Sequence, residues 1–189
     1  MIIVSGLPRS GTSLMMQMLA AARIDLLTDE IREADKNNPR GYYEYEQVKG
    51  LARGGTEWLK SARGKAVKVV SPLLPHLPAD YTYRVLFMQR DLDEIIQSQQ
   101  KMRERLGNGD DTFDYNQLRT EYTAHLTQTL TWARRQGHIK LLTVDHRTLL
   151  TDPSPQIEAV IDFLNLSADA KSSMHTVIDP NLYRERHDT

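Results

Sequence analysis

A glycine-bracketed loop near the start of the chain has the composition and spacing of an anion-binding site. The apolar run Ile2–Val4 predicts a buried strand, Gly6–Ser13 (Gly-Leu-Pro-Arg-Ser-Gly-Thr-Ser) predicts a loop, and the apolar positions after it predict a helix over Leu14–Arg23. Glycines allow a sharp turn and a close approach of the backbone to an anion. Backbone N–H groups and the helix dipole favour a phosphate at the start of such a helix. The segment therefore predicts phosphate binding.

The loop departs from the nucleotide-kinase pattern G-x-x-x-x-G-K-[S/T] at one position. Thr12 stands where that pattern has the lysine that reaches the β- and γ-phosphates of ATP. Arg9 supplies a cation three residues earlier, and the hydroxyls of Thr12 and Ser13 fall on the first helical turn, where they can donate to the same anion. A chance arginine in an ordinary strand-to-helix turn is the alternative. The missing lysine weighs against phosphoryl transfer from ATP.

A second strand-to-helix unit carries another basic residue. Arg84–Gln89 predicts a buried strand, Arg90 follows its end, and Asp91 is a suitable N-cap for the next helix. Ser98 lies eight residues after Arg90, about two helical turns along. Each residue alone has an ordinary explanation, because arginines often follow strands and helix serines usually face solvent.

Two further segments have residues suited to proton transfer and to charge stabilisation. Asn38–Glu46 combines three tyrosines with Glu44 and Glu46. Tyrosines that wall a site raise the pKa of a carboxylate by desolvation, towards the operating pH of a general base. Extended geometry would place both glutamates on one face. The alternative is that both only solvate the start of a helix.

Lys68 is the candidate for charge stabilisation. It lies between valines in Lys65–Val70, which predicts a third strand in the centre of the sheet. A buried lysine needs an anionic partner to offset its desolvation. The alternative is an edge strand with Lys68 facing solvent.

Together these motifs resemble sulfotransferases that use 3′-phosphoadenosine 5′-phosphosulfate (PAPS). The family loop reads Pro-[Lys/Arg]-[Ser/Thr]-Gly-Thr-[Ser/Thr], which Pro8–Ser13 matches, and its 3′-phosphate site pairs a strand-end arginine with a serine eight residues later, as do Arg90 and Ser98. The resemblance implies that Arg9 contacts the phosphosulfate. It also implies that the 5′-phosphate is cradled by Ser10, Gly11, Thr12 and Ser13.

The same resemblance assigns the reacting groups. It implies Glu44 as the base, with Glu46 in reserve, and Lys68 as the cation that stabilises the sulfuryl group and the leaving oxygen. In the small-molecule branch a histidine follows the strand lysine by two residues, but Val70 stands there, and His76 further on is predicted to be a surface histidine. Sulfotransferases often close the 3′-phosphate site with a basic C-terminal segment, a role for Arg184 or Arg186 unless that segment is a solvated tail.

Strands alternating with helices predict an α/β fold. We expect three P-loop-like layers, with a central, mostly parallel sheet of four to five strands flanked by helices. The predicted strands are Met1–Ser5, Lys65–Val70, Tyr83–Gln89 and Ile139–Val144, with a short fifth at Asp25–Leu27; helices are predicted after Asp114 and from Pro155. A length of 189 residues predicts one domain, 1–189.

Composition excludes several classes of function. Cysteine is absent, so disulfides, thiolate metal sites and cysteine nucleophiles are excluded, and a net charge of −1 gives no support for nucleic-acid binding. The sequence shows no apolar run long enough to span a membrane and no signal peptide, so we predict a cytoplasmic enzyme without a membrane anchor.

The predicted activity is transfer of a sulfuryl group from PAPS, without a required metal, to a hydroxyl or amine of a small molecule, carbohydrate or lipid. The acceptor pocket is expected to involve the tyrosines and the Gly107–Asp114 loop. One rival is a P-loop nucleotide kinase or NTPase relative in which Asp145, after an apolar strand, holds magnesium. A second rival is a nucleotide-binding module without turnover. Oligomeric state is not predicted.

Overall fold

The computed structural model describes residues 1–29, 31, 34–35, 38, 40–105, 107 and 114–179. The strands in these residues are β1 (Ile2–Gly6), β2 (Ala66–Lys68), β3 (Tyr83–Gln89) and β4 (Ile139–Asp145). The α-helices are α1 (Thr12–Ala21), α2 (Leu92–Arg105), α3 (Tyr115–Arg135), α4 (His146–Thr151), α5 (Pro153–Leu164) and α6 (Ala170–Thr176). Short 3₁₀ helices cover Glu46–Arg53, Glu57–Lys60 and Ser71–His76.

Within the described residues the strands form one four-stranded sheet in the order β2-β1-β3-β4, and every neighbouring pair is parallel. Parallel strands place all their carboxyl ends at one edge of the sheet. In β1 and its neighbours, Val4 pairs with Lys68 on one side and with Leu86 on the other. The residues that follow Gly6, Lys68, Gln89 and Asp145 therefore share that edge, where ligands bind in open α/β sheets.

Helices cover both faces of the sheet because the buried strands alternate their side chains between two cores. Ile3 and Phe87 pack with the 3₁₀ helices and α3 on one face. Val4, Leu86 and Met88 pack with α1, α5 and α6 on the other. This arrangement confirms the predicted three-layer α/β fold.

Some boundaries differ from the sequence predictions. Pro153, not Pro155, opens α5. β2 covers Ala66–Lys68, one residue shorter than predicted at its start and two at its end, and a 3₁₀ helix begins at Ser71. The expected short strand at Asp25–Leu27 is reduced to a single parallel bridge between Leu26 and Ala66.

The prediction that Lys68 lies in a central strand is wrong. β2 is the outermost strand in the described part of the sheet, because on its far side it meets only the bridge at Leu26. No helix among the described residues is long and apolar enough to cross a bilayer.

Candidate active site

A cleft of about 800 Å³ opens at the carboxyl edge of the sheet. It brings together most of the site residues that the sequence indicates: Arg9, Gly11, Thr12, Ser13, Glu44, Lys68, Arg90 and Ser98 all line it. His76 does not line it and is exposed. Arg184, Arg186 and all but the ends of the Gly107–Asp114 loop lie outside the described residues.

The loop between β1 and α1 is held in a conformation that needs glycine. Gly11 has φ +98°, and a Cβ there would lie 2.4 Å from Cδ2 of His146. Gly11 precedes α1 as its N-cap, and no side chain caps the first turn of that helix. The backbone N–H groups of that turn are therefore available to an anion.

Ser10 has a different position from the other loop residues. Its side chain is buried, 1% exposed, and its Oγ has no hydrogen-bond partner in the described part of the protein. A buried hydroxyl without a partner is costly, so it marks a place where a ligand or water completes the site. Ser10 is not among the described residues that line the cleft, and its hydroxyl lies beside Gly6, where an added Cβ would be 2.4 Å from Oγ.

Arg9 connects the loop to α2. Its φ of +77° is unusual for a residue with a side chain. Its Nε donates to Oγ of Ser98 at 3.0 Å, and its carbonyl oxygen accepts from Arg90 at 3.0 Å. The two predicted anion-binding motifs are therefore in direct contact, and the Arg9 guanidinium lies against α2 in this structure.

Lys68 points into the cleft although its strand is outermost. Its side chain is only 8% exposed, which excludes the solvent-facing alternative. The ammonium donates to the carbonyl oxygen of Tyr42 at 2.9 Å and to Oγ of Ser13 at 3.3 Å, and it lies 3.5 Å from Oε1 of Glu44. One cation thus joins the loop, the strand and the candidate base.

Glu44 and Glu46 have different surroundings. Tyr43 has φ +53°, which interrupts the extended geometry expected to put both glutamates on one face. Glu46 begins the 3₁₀ helix Glu46–Arg53 and pairs with Lys49 at 2.6 Å, its side chain 53% exposed. Both glutamates line the cleft, but Glu46 starts a helix, as the alternative predicts, whereas Glu44 lies beside Lys68.

Arg90 is held by a buried carboxylate. Asp91 accepts from the backbone N–H groups of Asp93 and Glu94, as predicted for a cap. Glu94, 1% exposed, accepts from Nε of Arg90 at 2.8 Å and pairs with Arg147 at 3.2 Å. Neither Glu94 nor Arg147 belongs to a motif predicted from the sequence, although both are close to the end of a strand.

His146 is a cleft residue that sequence reasoning missed. It follows β4 directly, lies 7% exposed against Gly11, and lines the cleft. Burial first, and then the positive charge of Arg90, lower the pKa of His146 to about 3, so its ring is neutral at neutral pH. The rule that ligands bind beyond the carboxyl ends of parallel strands would have found it.

Asp145 has a structural role as a helix cap. Its Oδ1 accepts from the backbone N–H of Thr148 at 2.7 Å and caps α4, and it does not line the cleft. Among the residues that the structure describes, no group of three or more His, Asp or Glu side chains is arranged to hold a metal ion.

The comparisons with known proteins concern the family and the fold. A family model described as a sulfotransferase domain matches residues 1–182. The chain is similar to the solved sulfotransferase domain from the curacin biosynthetic pathway, with 16% identity, a TM-score of 0.51, and coverage of 100% of this chain and 78% of that chain. This likeness supports the fold.

A solved sugar kinase from Janibacter sp. also matches, with 11% identity over 94% of this chain and 97% of that chain, but its TM-score of 0.43 is too low to support an argument. No curated protein sequence matches. Because the family model spans nearly the whole sequence, the chain belongs to the sulfotransferase family.

Proposed function

We propose that the chain transfers a sulfuryl group from PAPS to a hydroxyl or amine of a small molecule, carbohydrate or lipid. One observation carries the proposal: a single cleft is lined by the phosphate-binding loop, by Arg90 and Ser98, and by Lys68 and Glu44. A donor with phosphate groups at both the 5′ and 3′ positions needs two anion sites in one cleft. We also propose that residues 1–189 act as one domain; a cytoplasmic location remains a prediction from the sequence.

The residues present fit such a donor. The first turn of α1 has no side-chain cap, and the Ser10 hydroxyl is buried without a partner in the described residues. Both features favour a 5′-phosphate at the loop. Arg90 and Ser98 supply the second site, for the 3′-phosphate, with Arg184 as a further proposed contact from the C-terminal segment.

The contacts of Lys68 with Ser13 and Glu44 indicate which side chains act in the reaction. When bound, the donor supplies an activated sulfuryl group. The acceptor oxygen attacks sulfur while Glu44 accepts the hydroxyl proton, which is general-base catalysis, and the bond between sulfur and the bridging phosphate oxygen breaks. Lys68 stabilises the negative charge that develops on the leaving phosphate oxygen, and we propose that Arg9 adds to this when its guanidinium turns from Ser98 towards the loop. Lys68 is suited to this role because it is nearly buried and already hydrogen-bonded to Ser13 of the loop.

Thermal unfolding with matched nucleotides tests the proposal. Adenosine 3′,5′-bisphosphate at a hundred times its dissociation constant should add about 2.7 kcal/mol to the free energy of unfolding. For a chain of this length that corresponds to a rise of about 5–10 °C in Tm. At the same concentration, AMP and ATP with magnesium should give much smaller shifts in Tm, because neither has a 3′-phosphate.

The rival functions predict other outcomes. A larger shift with ATP and magnesium would favour a nucleotide kinase or NTPase and contradict the proposal. A shift with the bisphosphate, but no bisphosphate release from PAPS with any of a panel of sugar, phenol and lipid alcohols, would favour a nucleotide-binding module without turnover.

A further inference from the structure

A buried carboxylate lies between two arginines beside the cleft. Glu94 is on α2 and is 1% exposed. Its Oε2 accepts from Nε of Arg90, and its Oε1 accepts from a terminal nitrogen of Arg147, at 2.8 and 3.2 Å. Arg90 lines the cleft, whereas Arg147, 43% exposed, is not among the described lining residues.

The charges in this group contribute to what an anion in the cleft would meet, together with Arg9, which also lines the cleft. Arg90 and Glu94 alone sum to zero, because one guanidinium faces one carboxylate at hydrogen-bond distance. Adding Arg147 leaves two positive charges and one negative, a sum of +1. Arg90 and Glu94 are nearly buried and little screened, whereas solvent and salt screen part of the charge of Arg147, which is 43% exposed.

Arg147 and Arg90 contact different oxygens of Glu94. Arg147 donates to Oε1, Nε of Arg90 donates to Oε2, and a terminal nitrogen of Arg90 donates to the carbonyl oxygen of Arg9. The guanidinium is therefore fixed on two sides by the helix and by the loop. Arg147 itself is placed by α4, whose first residue, His146, packs against Gly11.

We propose that Arg147 is a positioning residue for recognition of the 3′-phosphate: by sharing Glu94, it leaves Arg90 oriented and the group cationic. This inference rests on the proposed function, since it assumes that Arg90 binds that phosphate. It adds a second arginine, from the element after β4, that acts through a carboxylate and without touching the nucleotide.

The test is the ratio of two affinities in Arg147→Met and in a matched control. Arg119→Met is the control, because Arg119 is an exposed arginine that pairs with the neighbouring α2 acid Asp93 at 2.9 Å and does not line the cleft. Calorimetry would give Kd for adenosine 3′,5′-bisphosphate and for AMP. Arg147→Met should weaken the bisphosphate about tenfold, as expected for one charge near a phosphate, and leave AMP within about twofold. Arg119→Met should change neither.

A double variant separates charge from packing. Glu94→Gln combined with Arg147→Met removes one negative and one positive charge, so the sum over positions 90, 94 and 147 stays +1, and the introduced side-chain amide keeps an oxygen for Nε of Arg90. We expect it to recover most of the preference for the bisphosphate over AMP. If Arg147→Met does not fold, Arg147→Gln carries the same expectation.

Each outcome decides between the inference and the function on which it rests. An unchanged ratio in Arg147→Met, or equal losses for the bisphosphate and AMP, overturns the inference while the wild-type preference for the bisphosphate upholds the 3′-phosphate site. A wild-type protein that binds AMP as tightly as the bisphosphate overturns the proposed donor itself.

Discussion

Glu44 and Glu46 are two residues apart and have different chemical partners. Glu44 shares the cleft with Lys68, whose ammonium is 3.5 Å from its Oε1. Glu46 is occupied by Lys49 and by the start of a 3₁₀ helix. This pair therefore provides a matched test of which carboxylate takes the proton.

Glu44→Gln should lower turnover by about 10²–10⁴-fold, the usual contribution of a general base, because the amide cannot accept the proton. The Kd of adenosine 3′,5′-bisphosphate should stay within a few-fold, since the proposed base is not part of the phosphate sites. Glu46→Gln should keep most of the activity. Full activity in Glu44→Gln, with a large loss in Glu46→Gln, would reverse the assignment of the base.

Site residues can be predicted from the sequence where they belong to a motif with a fixed spacing. Arg9, the loop, Arg90 and Ser98 are predicted in this way, and the cleft gathers them. Glu94, Arg147 and His146 could not be found so directly, because their roles come from contacts between elements distant in sequence: Glu94 meets Arg147 across 53 residues.

At the scale of elements, the loop between β1 and α1 depends on the start of α4. Gly11 approaches His146 so closely that a Cβ would lie 2.4 Å from its ring. The positive φ of Gly11 adds backbone strain for any other residue. The loop that we propose for the 5′-phosphate is thus shaped partly by α4.

Gly11→Ala should lower the free energy of unfolding by about 2–4 kcal/mol, because strain and overpacking add. It should also weaken bisphosphate binding, since the loop or His146 must move. Gly64→Ala is the control: Gly64 has φ +78°, but a Cβ added there would meet no described heavy atom within 4 Å, so only strain of about 1 kcal/mol remains. Equal losses in the two variants, measured by urea unfolding, would show that the contact with His146 is unimportant.

Secondary structure was predictable where periodicity and caps agree. The strands near Met1, Tyr83 and Ile139 and the helix capped by Asp114 follow from apolar runs and a capping aspartate. The 3₁₀ helix Glu46–Arg53 was not predictable, because it is short, rich in charged residues and stabilised by packing of Val48 and Leu51.

At the scale of the whole molecule, one titratable side chain in the described residues joins the cleft to the stability of the fold. His146 is buried against Gly11, and burial lowers its pKa to about 3, while in the unfolded chain an imidazole has a pKa of about 6.5. Below about pH 6.5 the unfolded chain therefore binds a proton that the folded protein does not accept until about pH 3. The contribution of His146 to stability is fully present above about pH 6.5 and is lost as the pH falls through this range.

We expect His146→Gln to flatten the fall in unfolding free energy between about pH 6.5 and 4.5, by up to about 1.4 kcal/mol per pH unit. The measurement is urea unfolding at several pH values, compared as a difference between variant and wild type. His125, whose pKa is also lowered by burial, has the same sign but is present in both proteins and cancels. If the unfolding free energy of His146→Gln depends on pH as steeply as that of the wild type, the fold does not keep this imidazole neutral. The loop and α4 would then pack less tightly than the contact with Gly11 requires.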